Sequence, residues 1–254
     1  MALTIGILCC FSFLAGFIDA IVGGGGLLQL PALLVLLPGV PVTTILGTNK
    51  VASIAGTSMA AWRYGRHVAI DWHIIGPAAI TAFCFSYLGS RCINLLDPAL
   101  LRPLILILLI CVAIYIGLMK STGLVHTPRH APVKARWIAV VSGAVLGFYD
   151  GFFGPGTGSF LIFIFVGLFG FDFLAASASA KVINVGTNLA SVIYFAAAGQ
   201  IRYEIAVPMA SCNVLGSFIG SRIAILKGSR FIRVFFLTVV AALIVKLSWD
   251  LLHP

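Results

Sequence analysis

Charge is scarce in this 254-residue sequence: charged residues make up 9% of it, with only seven Asp and Glu against sixteen Lys and Arg. A soluble domain carries roughly a quarter charged residues. With 61% hydrophobic residues and a mean hydropathy of +1.12, the composition excludes an ordinary soluble fold and points to an all-α polytopic membrane protein. Other absences narrow the function. No G-x-x-x-x-G-K-[ST] motif occurs, so ATP is not expected to drive it. The six cysteines, Cys9, Cys10, Cys84, Cys92, Cys111 and Cys212, form no C-x-x-C pair and read as small buried hydrophobes. His67, His73, His126, His130 and His253 fall in loops or near segment ends, so neither a metal site nor a cofactor is expected. Gly156-Thr-Gly-Ser159 has the look of a serine nucleophile, but no histidine lies at comparable depth to serve as its base, and the reading is not an enzyme.

The net charge of +9 does not indicate nucleic acid, because the basic residues sit at the ends of apolar runs, as topology signals do. The first fifteen residues carry no positively charged stretch and read as a retained helix rather than a cleaved signal.

What is present is an internal repeat. Gly16-Phe-Ile-Asp-Ala-Ile-Val-Gly-Gly-Gly-Gly26 returns as Gly147-Phe-Tyr-Asp-Gly-Phe-Phe-Gly-Pro-Gly-Thr-Gly158, at an offset of 147 − 16 = 131. The same offset pairs Lys50-Val51 with Lys181-Val182, Pro77 with Pro208, Gly89-Ser90-Arg91 with Gly220-Ser221-Arg222, and Arg102 with Arg233. One ungapped offset through separated landmarks implies two homologous halves, 1–119 and 137–254, joined by a basic cytoplasmic linker at 120–136. The first half reads as apolar segments 3–22, 27–37, 42–64, 72–93 and 100–119. The second reads as 136–153, 159–169, 173–198, 203–226 and 231–252. The second segment of each half spans only about 16 Å at 1.5 Å per residue and is expected to be a half-helix broken from its predecessor at the glycines. Placing Lys120, Arg129, Lys134 and Arg136 in the cytoplasm, together with Arg63, Arg66, Arg222, Lys227, Arg230 and Arg233, favours halves of inverted topology.

Irregular backbone at membrane depth is tolerated only where protein buries it or it lines a cavity, and broken helices at matching places in two halves point to a transporter's central site. The freed N–H groups at the starts of the short helices favour an anion. The expected substrate-binding groups are therefore Gly24, Gly25, Gly26, Gly156, Thr157 and Gly158. Tight helix crossing through small residues is the competing role for these glycines.

Lys50, within Gly47-Thr-Asn-Lys50, and Lys181 lie about eight residues into long apolar segments, where a lysine costs about 2.5–3.5 kcal/mol to insert. Each is read as supplying charge to an anion, or as paired with Asp19 or Asp150, the carboxylates that lie well inside apolar runs. Either aspartate is a candidate for proton coupling, with polar bridging between helices as the alternative. Asn49 and Asn184 are expected to orient the substrate, and Asn188 and Asn213 are further amide candidates.

The repeated G-F-x-D-x-x-x-G-x-G, Gly47-Thr-Asn-Lys50 followed by Tyr64 and Asp71-Trp72, and Ala180-Lys-Val-Ile-Asn184 with Asn188, Gly199 and Gly220-Ser-Arg222 resemble the sulfite exporter TauE/SafE family over about residues 8–247. The resemblance implies an inner-membrane transporter exporting sulfite, a sulfonate or a related organosulfur anion. Pro155 and Thr157 stand where the first half has glycine, which makes the two half-sites chemically unequal. The expected function is secondary transport of a small anion by alternating access with proton coupling; an anion channel or uniporter without coupling is the alternative. Expected partners are the anion and the lipid bilayer, with a homodimer left open.

Overall fold

The computed structural model describes residues 2–96, 107 and 131–252, and every regular element among them is helical. The expected segment 100–119 (save residue 107), linker residues 120–130 and Arg102, Cys111, Lys120 and Arg129 lie outside the described residues. The elements are α1 (Ala2–Val22), α2 (Gly26–Leu36), α3 (Val42–Gly65), α4 (Trp72–Ile93), α5 (Pro132–Phe152), α6 (Thr157–Ile164, continued by a π-helical turn Phe165–Phe169), α7 (Phe173–Ala197) and α8 (Tyr203–Leu252).

Local chemistry sets the boundaries. The Asp71 carboxylate accepts from the His73 amide at 3.1 Å and starts α4. Asp172 does the same for α7, accepting from Leu174 at 2.8 Å and Ala175 at 3.0 Å. Each thereby satisfies N–H groups that the first helical turn leaves open. Pro132 in the first turn starts α5 several residues before the expected 136, because proline's fixed φ suits that position and its missing N–H costs nothing there. Lys134 and Arg136, assigned to the linker from sequence, therefore belong to a helix. Both half-helices also begin slightly earlier than expected, at Gly26 and Thr157. The long α8 departs from helical geometry at Gly228 (φ 68°, ψ −169°), between the expected segments 203–226 and 231–252.

Among the described residues, three stretches are long and apolar enough to cross a membrane: Ala2–Val22, Trp72–Ile93 and Tyr203–Ile232. The 24-residue α3 and 25-residue α7 are longer than α1, at about 36 Å or more, but their sequences are diluted by lysine, asparagine, serine and threonine. Those polar residues face inward: Thr48, Asn49, Lys50 and Thr57 on α3, and Ser177, Ser179, Lys181, Asn184, Thr187, Asn188 and Ser191 on α7, are all buried. Outward-facing positions are apolar, with Val35, Ile80, Val141 and Leu226 exposed, as a lipid-facing surface requires. Trp62, Trp72, Trp137 and Tyr203 are exposed near helix ends, where amphipathic rings suit the membrane interface.

Helices α3 and α7 pack together at the centre, α1 lies along α8, and α4 lies along α5. The main pairings therefore join the part of the chain before residue 97 to the part after residue 131.

Candidate functional site

Two breaks in the helices meet at the centre. Gly23, between α1 and α2, has φ +78°, and Gly154, between α5 and α6, has φ +98°. Both lie in the left-handed region that costs glycine nothing and other residues energy. The breaks also touch: a Cβ on Gly158 would stand 2.6 Å from the Gly23 Cα. Close backbone crossing, one of the two roles weighed from sequence, falls on Gly23 and Gly158, while Gly26, Gly154 and Gly156 of the same loops line a cavity.

Two buried ion pairs flank this crossing. The Lys50 ammonium on α3 donates to Asp150 Oδ2 at 2.8 Å and to the Asp150 carbonyl at 2.6 Å. Lys181 on α7 donates to Asp19 Oδ2 at 2.8 Å, and the Thr57 hydroxyl donates to the same oxygen at 3.3 Å. Of the pairings open from sequence, each lysine takes the aspartate 100 or 162 residues away, so both bridges cross between the expected halves.

Between these pairs lies a cavity of about 30 Å³ lined by Asp19, Gly23, Gly26, Asn49, Lys50, Ser53, Thr57, Asp150, Gly154, Gly156, Thr157, Gly158, Asn184 and Asn188. Most of the residues expected at a binding site are thus brought together. Gly25 lines a second, adjoining cavity, Gly24 lines neither, and Lys181 is fully buried behind Asp19. Asn213 turns away from the central cavity, bridging α8 to α2 by donating to Gln29 Oε1 at 2.8 Å. Ser53 and Thr57 were not expected. They follow Lys50 by three and seven residues on one helix face, and 184 − 53 = 188 − 57 = 131, so projecting the repeat onto α3 identifies them.

The lining offers both kinds of hydrogen-bonding group. The backbone N–H groups of Gly26, Gly156 and Gly158 donate to no backbone carbonyl outside their own helices. The Asn49 Oδ1 and Asn184 Oδ1 atoms are buried with no partner in the protein. Orphaned buried polar groups are costly, and most native ones are satisfied by water, an ion or a ligand. Charge is balanced, two ammonium groups against two carboxylates. At 30 Å³ the cavity holds about one or two waters. A larger anion enters only if the lining groups separate. Among the described residues no cluster of His, Cys, Asp and Glu suited to a metal ion occurs.

The family model for the sulfite exporter TauE/SafE family matches residues 8–247. The chain belongs to the TauE/SafE family. It is similar to "Probable membrane transporter protein ORF9" of Sinorhizobium sp, with 35% identity over 243 residues covering 96% of this chain and 92% of that one. It is equally similar to "Probable membrane transporter protein" of Haemophilus influenzae, with 35% identity over 244 residues (96% and 94%). It is 34% identical over 248 residues (98% and 91%) to "Probable membrane transporter protein YfcA" of Escherichia coli K12. No solved structure matches the chain. Membership in this family and the apolar helices make it a membrane protein.

Proposed function

We infer that this TauE/SafE protein is a secondary transporter of the cell inner membrane. It exports a small anion, sulfite or a related organosulfur oxyanion, by alternating access with a coupled proton. The observation that carries the reading is the pair of buried lysine–aspartate bridges around a cavity with free N–H groups. Amides at helix starts stabilise a negative charge, and a lysine held by a carboxylate can turn to an incoming anion. In this role Gly26, Gly156 and Gly158 present the amides to the central cavity. Thr157, whose own amide donates to the Gly154 carbonyl at 3.2 Å, lines it, and Gly25 lines the adjoining cavity. Lys50 and Lys181 supply charge, and Asn49 and Asn184 orient the oxygens. The names of the relatives support transport, and the name of the family supports sulfite as its cargo. The small volume of the central cavity, about 30 Å³, favours a carrier that rearranges around its cargo over an open anion channel.

The helix packing supports two halves related by a two-fold repeat, of which inversion is one form. Gly89 packs on the Phe148 carbonyl and Gly220 on the Phe17 carbonyl, while Gly16 packs on Asn213 and Gly147 on Ala82. Each contact maps onto its counterpart by the 131-residue shift.

The test is uptake into liposomes by the purified protein. Sulfite, sulfoacetate, sulfate and a simple carboxylate are compared with and without an imposed pH gradient. Saturable flux of a sulfur anion that rises with the gradient is expected; no flux of any of them from folded protein refutes the substrate class.

A further inference from the structure

The geometry points to Asp19, rather than Asp150, as the carboxylate that takes up and releases the proton, through a water held between it and Gln29. This rests on the transport reading above and names the coupling group within it.

The two aspartates occupy matching places in the repeat but different surroundings. The Asp150 side chain is 5% exposed, and its lysine is held twice, by the carboxylate and by the Asp150 carbonyl. The Asp19 side chain is 17% exposed, and Lys181 reaches it through a single hydrogen bond. Asp19 also borders both cavities, the central one and the adjoining one of about 20 Å³, whereas Asp150 borders only the first of these.

The adjoining cavity is built for water. Ser12 donates to the Met209 carbonyl at 2.7 Å and accepts from Asn213 Nδ2, which also donates to Gln29 Oε1 at 2.8 Å. This chain fixes the orientation of both amides. It leaves Gln29 Nε2 as a buried donor with no partner in the protein, on a side chain that is 1% exposed and lines this cavity with Asp19. The space suffices for one water, which accepts from Gln29 and donates to Asp19. At the 131-residue shift, Ser12, Gln29 and Asn213 become Gly143, Phe160 and Ala82, none of which offers a polar side chain. The polar lane therefore serves one carboxylate and has no counterpart beside the other.

The charged and titratable groups facing Asp19 are Lys181 on α7, Lys50 and Tyr64 on α3, and Asp150 on α5; Tyr64 donates to the Ala20 carbonyl at 2.9 Å. Helices α2 and α8 present Gln29 and Asn213 instead. With both pairs intact the site is neutral, so a monoanion brings a net charge of −1. A proton on Asp19 restores neutrality and frees Lys181 to face the anion. Proton and monoanion then move in the same direction, one for one, so an inward proton gradient drives uptake and export runs down the anion's own outward gradient.

Infrared difference spectroscopy on the purified protein, acidified without substrate, reads the carboxylate directly. Against the bands that the other carboxylates give in all three proteins, the wild type and Asp150→Asn are expected to share a protonated-carboxyl band that disappears in Asp19→Asn. A band retained in Asp19→Asn and lost in Asp150→Asn overturns the assignment. In liposomes, Gln29→Phe, which leaves both aspartates in place, is expected to lose at least tenfold of the gradient-driven sulfite uptake while sulfite exchange persists. Undiminished gradient-driven uptake overturns the role of the lane, and serves as the test if either aspartate variant fails to fold. If the wild type moves no sulfur anion, the transport reading fails on its own, while the infrared result still decides which aspartate titrates.

Discussion

A lysine ammonium withdrawn from water is stabilised by a carboxylate beside it, and Lys50 is 3% exposed with Asp150 at 2.8 Å. Removing one member of such a pair strands the other charge and costs about 3–5 kcal/mol, whereas replacing both by apolar residues of similar size is often neutral or stabilising. This separates the folding role of the bridge from its binding role. Asp150→Ala is expected to lower the unfolding midpoint in detergent sharply, and Lys50→Met with Asp150→Leu is expected to recover most of that loss. Calorimetric titration of the double variant with sulfite is expected to show no binding. A double variant that binds sulfite as the wild type does would place the anion elsewhere in the molecule. For Lys181 the residue-scale expectation is parallel: Lys181→Ala loses sulfite binding while the protein still inserts.

At the scale of elements, the glycines outside the two breaks let helices approach backbone to backbone. On α5, a Cβ at Gly147 would stand 2.6 Å from the Ala82 Cα of α4, too close for either backbone to remain in place. Gly76, on α4, has open space around its missing side chain. Gly147→Val is therefore expected to part α4 from α5, lowering thermal stability by several degrees and reducing transport. Gly76→Val is expected to keep flux near wild type and to change stability by no more than about 1 kcal/mol, since valine is the better helix former of the two. Equal destabilisation by both would show that added side-chain bulk in a helix, and not crossing distance, governs this pair. The elements themselves were largely legible. The glycine breaks, the short α2 and α6, and the lysines deep in α3 and α7 all follow from apolar run length and from charge set inside it. The pairing of Lys50 with Asp150 and of Lys181 with Asp19 was not legible, because run length carries no information on which helices adjoin. Gln29 escaped notice for a related reason. One amide in an apolar half-helix reads as incidental until Asn213, 184 residues later, is seen to hold it.

For the whole molecule, the decisive question is which ends share a membrane face. Asn94, at the C-terminal end of α4, exchanges hydrogen bonds with Gln200 in the loop before α8, at 3.0 Å and 2.7 Å. Helix α4 has 22 residues, about 33 Å, enough to cross the hydrocarbon core of roughly 30 Å. Its N-terminal end at Trp72, with the loop holding His67, is then at the opposite face from Gln200. By the repeat, the loop at His67 corresponds to that at Ala198, since 198 − 67 = 131. Equivalent loops on opposite faces are what inversion requires, and the contact of Asn94 with Gln200 supports it. The check uses a background in which the native cysteines are replaced, carrying either His67→Cys or Ala198→Cys. A membrane-impermeant maleimide applied to intact cells is expected to label the cysteine at 198 and spare the one at 67 until the membrane is opened. Labelling of both from one side means that the halves run in parallel. Alternating access by rocking one half against its inverted copy then loses its structural basis.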